Sequence, residues 1–394
     1  MDLVGREGPH VLMPGRDVVV LGGGIGGIVA ARELRRRAPR DTRITLVDRE
    51  PAFTFSPSLL WLMSGGRNLQ QISRSRERLA RKGVDLAIGE VEGLDVEGQR
   101  VRVGGSDIAF NHLVIALGYQ PAPELMPGLP EGAIDIYAPD GALAAGRALR
   151  GLERGRVIVL IAKLPYKCPA APNEAAFLAE AILRRTGSRA TVALYTPEPY
   201  PMPTAGETLG KALAAMLEQR GIELHTGRSA EAVDARSKEL ILEGGERVGY
   251  DLLLAVPPHR TAHVVRASGL SNDAGFIAPD PATLATQAAG VYALGDVTQI
   301  PIAGGKFLPK AGVFAKAQAK VIARRIADEL GGRESRATFD GEGSCFVDMG
   351  DGVAAFATGD FYASQGPAVS LRGPSRMWHL GKVAFEKYWL ARWA

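Results

Sequence analysis

The sequence holds two cysteines, Cys168 and Cys345, in 394 residues. That scarcity excludes a disulfide-stapled scaffold. It also excludes a cysteine-rich zinc module, because the two stand too far apart to form a CxxC pair. No run reaches the about 18 uncharged apolar residues of a membrane-spanning helix. The opening MDLVGREGPHVLMPGRD lacks an apolar core behind a basic stretch, so no secretory leader is expected. Charge of one sign is scarce too. The 47 basic and 43 acidic residues are interspersed, which offers no basic tract for nucleic acid. Low-complexity tracts and short-period repeats are missing, so a solenoid is excluded. Tryptophan is rare, yet three of the four, Trp378, Trp389 and Trp393, cluster at the C-terminal end.

What is present is patterned as alternating strands and helices. DVVVL (Asp17 to Leu21) reads as a buried strand, GGGIGG as a turn, IVAARELRRRA as a helix and ITLVDRE as a second strand. Short alternating runs in DLAIGEVEGLDVEGQRVRV suggest a β-meander, and HLVIALGY a further strand. A second α/β unit starts at RVIVLIA, continues through NEAAFLAEAILRR and ATVALYTPE, and reaches YDLLLAVPP. The fold class is therefore α/β. Two Rossmann-like, dinucleotide-binding-type domains stand in tandem, followed by a C-terminal segment with an amphipathic helix. The expected division is 1–150 for the first part of one dinucleotide-binding domain and 151–275 for the second Rossmann-like domain. Residues 276–330 return to the first domain, and 331–394 form the C-terminal segment.

Gly22, Gly24 and Gly27 match G-x-G-x-x-G between a strand and a helix. Gly22 permits the tight turn, Gly24 lets a pyrophosphate approach the backbone, and Gly27 lets helix and strand pack closely. The helix N-terminus attracts phosphate. Asp48 closes the next strand, where an acid can hold ribose hydroxyls. The acid favours FAD or NAD over NADP. HLVIALGYQP, with Ala116 and Gly118, resembles the second flavin motif of the two-dinucleotide-binding-domain flavoproteins. GVYALGDV resembles their third, which places Gly295 and Asp296 at the ribityl chain. Taken alone, Asp296 reads equally well as a helix N-cap.

The second unit has no glycine motif. The turn after RVIVLIA reads KLPYKCPAAPNEAA, and side chains at Lys163, Pro165, Tyr166 and Lys167 keep a pyrophosphate off the backbone. Tight pyridine nucleotide binding is not expected. Cys168 stands there instead, ahead of prolines and a helix start. A positive helix end and nearby Lys163 and Lys167 are expected to lower its pKa. Cys345 lies in a glycine-flanked apolar strand and also reads as a small buried hydrophobe.

KCPAAPNEAAFLAE, FLPKAGVFAKAQAKVIA and GEGSCFVDMGDGVAAF resemble segments of the sulfide:quinone oxidoreductases and the related flavocytochrome c sulfide dehydrogenases. The likeness runs from Asp17 to the C-terminus. It implies that Cys168 and Cys345 form a redox pair facing FAD. Sulfide attacks the bridged pair, one sulfur keeps the persulfide, and electrons pass through FAD to a membrane quinone. Which cysteine plays which part stays open. Lys310, in LPKAG, resembles a lysine near the flavin pyrimidine, where a cation stabilises reduced flavin. Phe53, Thr54 and Phe55 stand where sulfide dehydrogenases carry a flavin-linking cysteine, so the FAD is expected to be noncovalent. None of the six histidines falls beside a cysteine in sequence, which leaves Glu174 as a candidate base or simply a favourable first-turn acid. Phe314 and Phe346 are candidates for the quinone wall or for the core.

In RMWHLGKVAFEKYWLARWA, Phe385, Trp389 and Trp393 share one helical face, with Arg376, Lys382, Lys387 and Arg392 nearby. The pattern fits an interfacial helix on an anionic membrane. The resulting expectation is an FAD enzyme that oxidises sulfide with quinone as acceptor. It would sit peripherally on the cytoplasmic face of a membrane and is compatible with a homo-oligomer. Neither metal nor nucleic acid is expected. The rivals are a sulfide dehydrogenase subunit that reduces a cytochrome, a type II NADH dehydrogenase and a non-catalytic flavin redox sensor.

Overall fold

The computed structural model of the protein describes residues 15–394. The N-terminal stretch read as lacking a leader lies almost wholly outside the described residues, as does His10.

β1 (Asp17–Leu21) is Val-rich and buried along its length, as a parallel strand covered on both faces must be. It leads through the glycine turn into α1 (Ile25–Arg37) and then β2 (Arg43–Asp48). β3 (Asp85–Ile88) pairs in parallel with β2. That strand therefore belongs to the first sheet rather than to the expected meander. Its short alternating pattern does not by itself distinguish parallel from antiparallel pairing. The meander comprises the three strands that follow, Val91–Asp95, Arg100–Val103 and Ser106–Ala109. β4 (His112–Ile115) then pairs on the other side of β1.

β5 (Ile134–Asp135), β6 (Arg156–Ile161), β7 (Thr191–Tyr195), β8 (Glu223–His225) and β9 (Leu252–Val256) form a second parallel sheet in the order β5-β9-β6-β7-β8. α2 (Ala171–Thr186), rich in Ala and Leu, is buried over most of its length against this sheet. The chain then returns. β10 (Val291–Ala293) pairs in parallel with β4 and completes the first sheet as β10-β4-β1-β2-β3. α3 (Gly312–Leu330) packs against α1. Strand order reverses between β1 and β4, and at the carboxyl ends of strands such a switch point opens a crevice for ligand.

The C-terminal segment is a three-stranded antiparallel sheet, β11 (Glu342–Asp348), β12 (Ala354–Asp360) and β13 (Ala368–Ser375), followed by α4 (Arg376–Arg392). The Ser375 hydroxyl caps α4 by accepting from the Trp378 N–H at 3.3 Å.

Candidate active site

At the switch point lies a cavity of about 670 Å³. Gly22 has φ +94°, and a Cβ there would strike the Ala116 carbonyl; a Cβ on Gly27 would strike the Gly22 carbonyl. These contacts bring turn, strand and helix together. A Cβ on Gly24 would meet nothing within 4 Å, because that position opens on the cavity. Asp48, Ala116, Gly118, Gly295 and Asp296 also line it, and Gly118 and Gly295 both take positive φ. Gly27 lies behind the wall.

Asp48 accepts the Gly23 N–H at 2.6 Å and pairs with the buried guanidinium of Arg76 at 3.1 Å. Arg76 also donates to the Gly23 carbonyl at 2.5 Å. Sequence reasoning missed Arg76, which comes from a separate loop. The buried Asp296 Oδ1 has no protein partner. An open glycine turn, an acid at the end of β2 and an unpartnered acceptor along one cavity match the adenosine, pyrophosphate and ribityl parts of FAD.

Lys310 is buried. Its ammonium donates to the Asp296 and Thr298 carbonyls, each at 2.9 Å, and lies 3.8 Å above the Phe276 ring. Burial lowers its pKa to about 8, while nearby Asp296 acts in the opposite direction. The Lys310 carbonyl accepts the Cys168 N–H at 2.7 Å, so one residue ties the cysteine turn to the Gly295 turn.

Cys168 lines the cavity at φ +56°, a conformation that costs a side-chain-bearing residue about 1–3 kcal/mol and is held by its surroundings. Cys345 lies on β11, and both cysteines are free thiols. They are near enough for charge on Cys168 to raise the pKa of Cys345. The expected lowering of the Cys168 pKa is overturned: burial pushes it up to about 12, aided by the Glu174 charge. The Ala171 amide at the helix start does pull it down, but less than burial raises it. The leading cation on it is Lys382; of the two lysines expected there, Lys167 is half-buried and feels the Cys168 charge, whereas Lys163 is exposed to solvent.

Glu174 is buried and accepts from Lys382 Nζ at 2.7 Å and from the Asp348 N–H at 2.7 Å. Lys382 Nζ also lies 3.9 Å from Asp348 Oδ2, which accepts from Trp61 Nε1 at 2.8 Å. Four elements thus converge: α2, β11, α4 and the helix Leu59–Ser64. Burial raises Glu174, an effect the Lys382 charge partly offsets. Asp348 is held down at about 2, with His379, Lys382 and the Gly350 amide outweighing its burial. Histidine does reach the centre, since His379 Nδ1 stands 3.3 Å from Asp348 Oδ2. The reading by sequence proximity missed it.

The pyridine nucleotide-disulphide oxidoreductase family profile matches residues 16–159 and 174–319, well over half of the chain. The chain belongs to that family. Several relatives carry the expected resemblance to sulfide:quinone oxidoreductases. The chain is 25% identical to the mitochondrial sulfide:quinone oxidoreductase of Mus musculus, over 88% of its own length and 78% of the relative's. It is 26% identical to a sulfide-quinone reductase of Aquifex aeolicus, over 95% and 90%. The crystal structure of the Aquifex aeolicus sulfide:quinone oxidoreductase superimposes with a TM-score of 0.87 at 24% identity, covering 95% of this chain and 91% of that one. This pyridine nucleotide-disulphide oxidoreductase is a flavoprotein enzyme, and its tandem α/β architecture is the expected one.

In this oxidoreductase the second unit also ends in an acid, Glu198. There Tyr166, from the glycine-free turn, donates its hydroxyl to the Glu198 carboxylate at 3.2 Å. Both are buried, and burial raises Glu198 to about 7.

The C-terminal helix differs from expectation. Trp389 and Trp393 are 0% and 2% exposed, and Phe385 is half-buried. Trp389 packs 4.9 Å from both Phe53 and Phe55, and Lys382 faces Glu174, so this face is spent on the protein itself. Helical spacing marks the apolar stripe but not what covers it. The outward face carries Met377, Leu380 and Tyr388, all exposed, beside exposed Arg376 and Lys387. No helix among the described residues is long and apolar enough to cross a membrane. Phe314 is core, edge-on to Phe339 and Phe361. Phe346 is half-buried between Phe356 and Phe385.

Proposed function

We propose that this flavoenzyme oxidises sulfide to sulfane sulfur through Cys168 and Cys345 and passes the electrons to a membrane quinone. The observation that carries the reading is the placement of the two thiols. Cys168 lines the cavity, Cys345 lies within range of its charge, and the charges of the buried Glu174–Lys382 pair act on both.

With the pair bridged, sulfide attacks one sulfur, the S–S bond breaks and the other sulfur leaves as a thiolate. Lys382 is the ammonium that stabilises the leaving thiolate, and Glu174 is the base that takes the sulfide proton. FAD, when bound, supplies the two-electron acceptor. Gly22, Gly24, Gly27 and Asp48 would hold its adenosine half and pyrophosphate; Ala116, Gly118, Gly295 and Asp296 would hold its other half. Lys310 would position the Gly295 turn and place positive charge near it. With Phe53, Thr54 and Phe55 lacking a thiol, the cofactor is held noncovalently. Residues 1–150 and 276–330 are the flavin half in this reading, and 151–275 the half whose nucleotide site has been lost. Tyr166 bonded to Glu198 supports that loss and weighs against an NADH dehydrogenase.

The quinone would lie against Phe346 and Phe385. Met377, Leu380 and Tyr388, flanked by Arg376 and Lys387, would rest on the anionic cytoplasmic face of a bilayer. An anaerobic sulfide titration of the holoenzyme tests the reading. Bleaching of the visible flavin band, restored by a soluble quinone, is expected. Absence of any spectral change with sulfide and quinone, or bleaching by NADH instead, would overturn it.

A further inference from the structure

His379 has no part in the reaction as described, yet it ends the buried ion cluster. It lies one helical turn before Lys382 on α4, so both reach the same neighbours. Its Nδ1 stands 3.3 Å from Asp348 Oδ2, an ion-pair distance without hydrogen-bond alignment, and has no other polar partner. Its side chain is 26% exposed, while those of Asp348, Lys382 and Glu174 are at 1%, 8% and 6%. It is the cluster's contact with water.

The charges can be counted. Glu174 and Asp348 are carboxylates and Lys382 is an ammonium, so the buried cluster carries one excess negative charge. Each element around it contributes. Glu174 comes from α2, Asp348 from β11 and Lys382 from α4, and the helix Leu59–Ser64 contributes the uncharged Trp61. Beyond the Trp61 ring, Arg67 lies 4.7 Å from the centroid but is paired with Glu386 at 2.9 Å, which adds no net charge. The thiols of Cys168 and Cys345 adjoin the cluster, and Lys167 and Asp296, which also act on Cys168, are of opposite sign and add no net charge. A thiolate formed there would be a second negative charge in a water-poor site, and like charges in such a site strongly disfavour one another. Asp348 and Lys382 keep their charges, and Glu174, which takes the sulfide proton first, is sealed from water and can hold that proton only at the expense of its pairing with Lys382. Imidazole is the side chain whose charge changes most readily near neutral pH.

We propose that His379 is the charge-balancing proton acceptor of the cysteine centre, acting through Asp348. In the sulfide reaction, on whose reading this step rests, a sulfide S–H loses its proton as the new S–S bond forms and the bridge breaks. The electron pair of the broken bond stays on the departing cysteine as a thiolate, and the released proton, taken first by Glu174, comes to reside on His379. The cluster then returns to a single excess negative charge. His379 touches neither sulfur, so it is a positioning residue.

Iodoacetamide alkylation of the reduced holoenzyme across pH reads thiolate formation directly and needs no turnover. His379→Gln should move the onset upward, slowing alkylation near neutrality about tenfold, one pKa unit of lost compensation. His379→Lys, a fixed cation, should move it downward. Superimposable profiles for wild type and H379Q would overturn the inference, as would shifts of H379Q and H379K in the same direction. Sulfide bleaching of wild-type flavin is a separate test. Its failure would remove the sulfide reading, while the alkylation shift would still decide the role of His379.

Discussion

Lys382 donates to Glu174 across 208 residues of sequence at 2.7 Å, with both side chains buried. The pair pins the C-terminal helix to α2, the helix that Cys168 precedes. Breaking a buried pair from one side leaves an unpaired charge, whereas removing both charges together avoids that penalty. Lys382→Met should therefore destabilise the protein by about 3–5 kcal/mol in denaturant unfolding. Adding Glu174→Gln should recover part of that loss. Both variants should lose sulfide-dependent flavin reduction.

Gly24 and Gly27 belong to one motif but should fail differently. A Cβ on Gly24 meets no protein atom within 4 Å, so Gly24→Ala should leave the apo-protein Tm unchanged and weaken flavin retention at least tenfold. A Cβ on Gly27 strikes the Gly22 carbonyl, so Gly27→Ala should lower the apo-protein Tm as well. Thermal melts of deflavinated protein, paired with flavin titration, separate the two.

Glu198 carries a pH dependence of its own. Buried against Tyr166, it titrates at about 7 in the folded protein but near ~4.3 in an unfolded chain. Between those values the folded state keeps a proton that the unfolded state has lost. Its contribution to stability is full below the unfolded value and declines as pH rises through about 7. Glu198→Gln should remove that slope. Relative to the variant, wild type should lose up to about 3 kcal/mol between acid and mildly alkaline pH, measured by urea unfolding.

On the outward face of α4, Met377→Glu with Leu380→Glu should abolish cosedimentation with anionic liposomes and leave the melting temperature within about 2 °C. Trp389→Ala should do the reverse, costing about 3–5 kcal/mol of stability as a buried aromatic is lost. Liposome binding that survives the double substitution would remove the docking role from this face.

Much of this was readable from the chain because the relevant residues are neighbours in sequence. Gly22, Gly24, Gly27 and Asp48 lie within one β-α-β unit, so local spacing alone reports the turn. Cys168 was conspicuous because it replaces glycines in a turn. The environment of the thiols was not readable. Lys382, Asp348 and His379 reach them from β11 and α4, and no local pattern announces a contact made only by tertiary folding. The same limit explains the reversal at Cys168. Helix end and nearby lysines are sequence-visible, whereas desolvation, the larger effect, depends on everything packed around the sulfur. Trp389 repeats the lesson, since an apolar stripe at helical spacing reports that something covers it, and here the cover is Phe53 and Phe55.

Trp389 is wedged against Phe53, and Phe53 is itself part of the cavity wall. The last helix is thus a keystone rather than an appendage. Cutting it away to ask whether it anchors the protein would also open the cofactor cavity and strip the sulfur centre of its ammonium. A truncated enzyme that no longer sediments with lipid would be a collapsed enzyme, and only surface substitutions can separate anchoring from integrity.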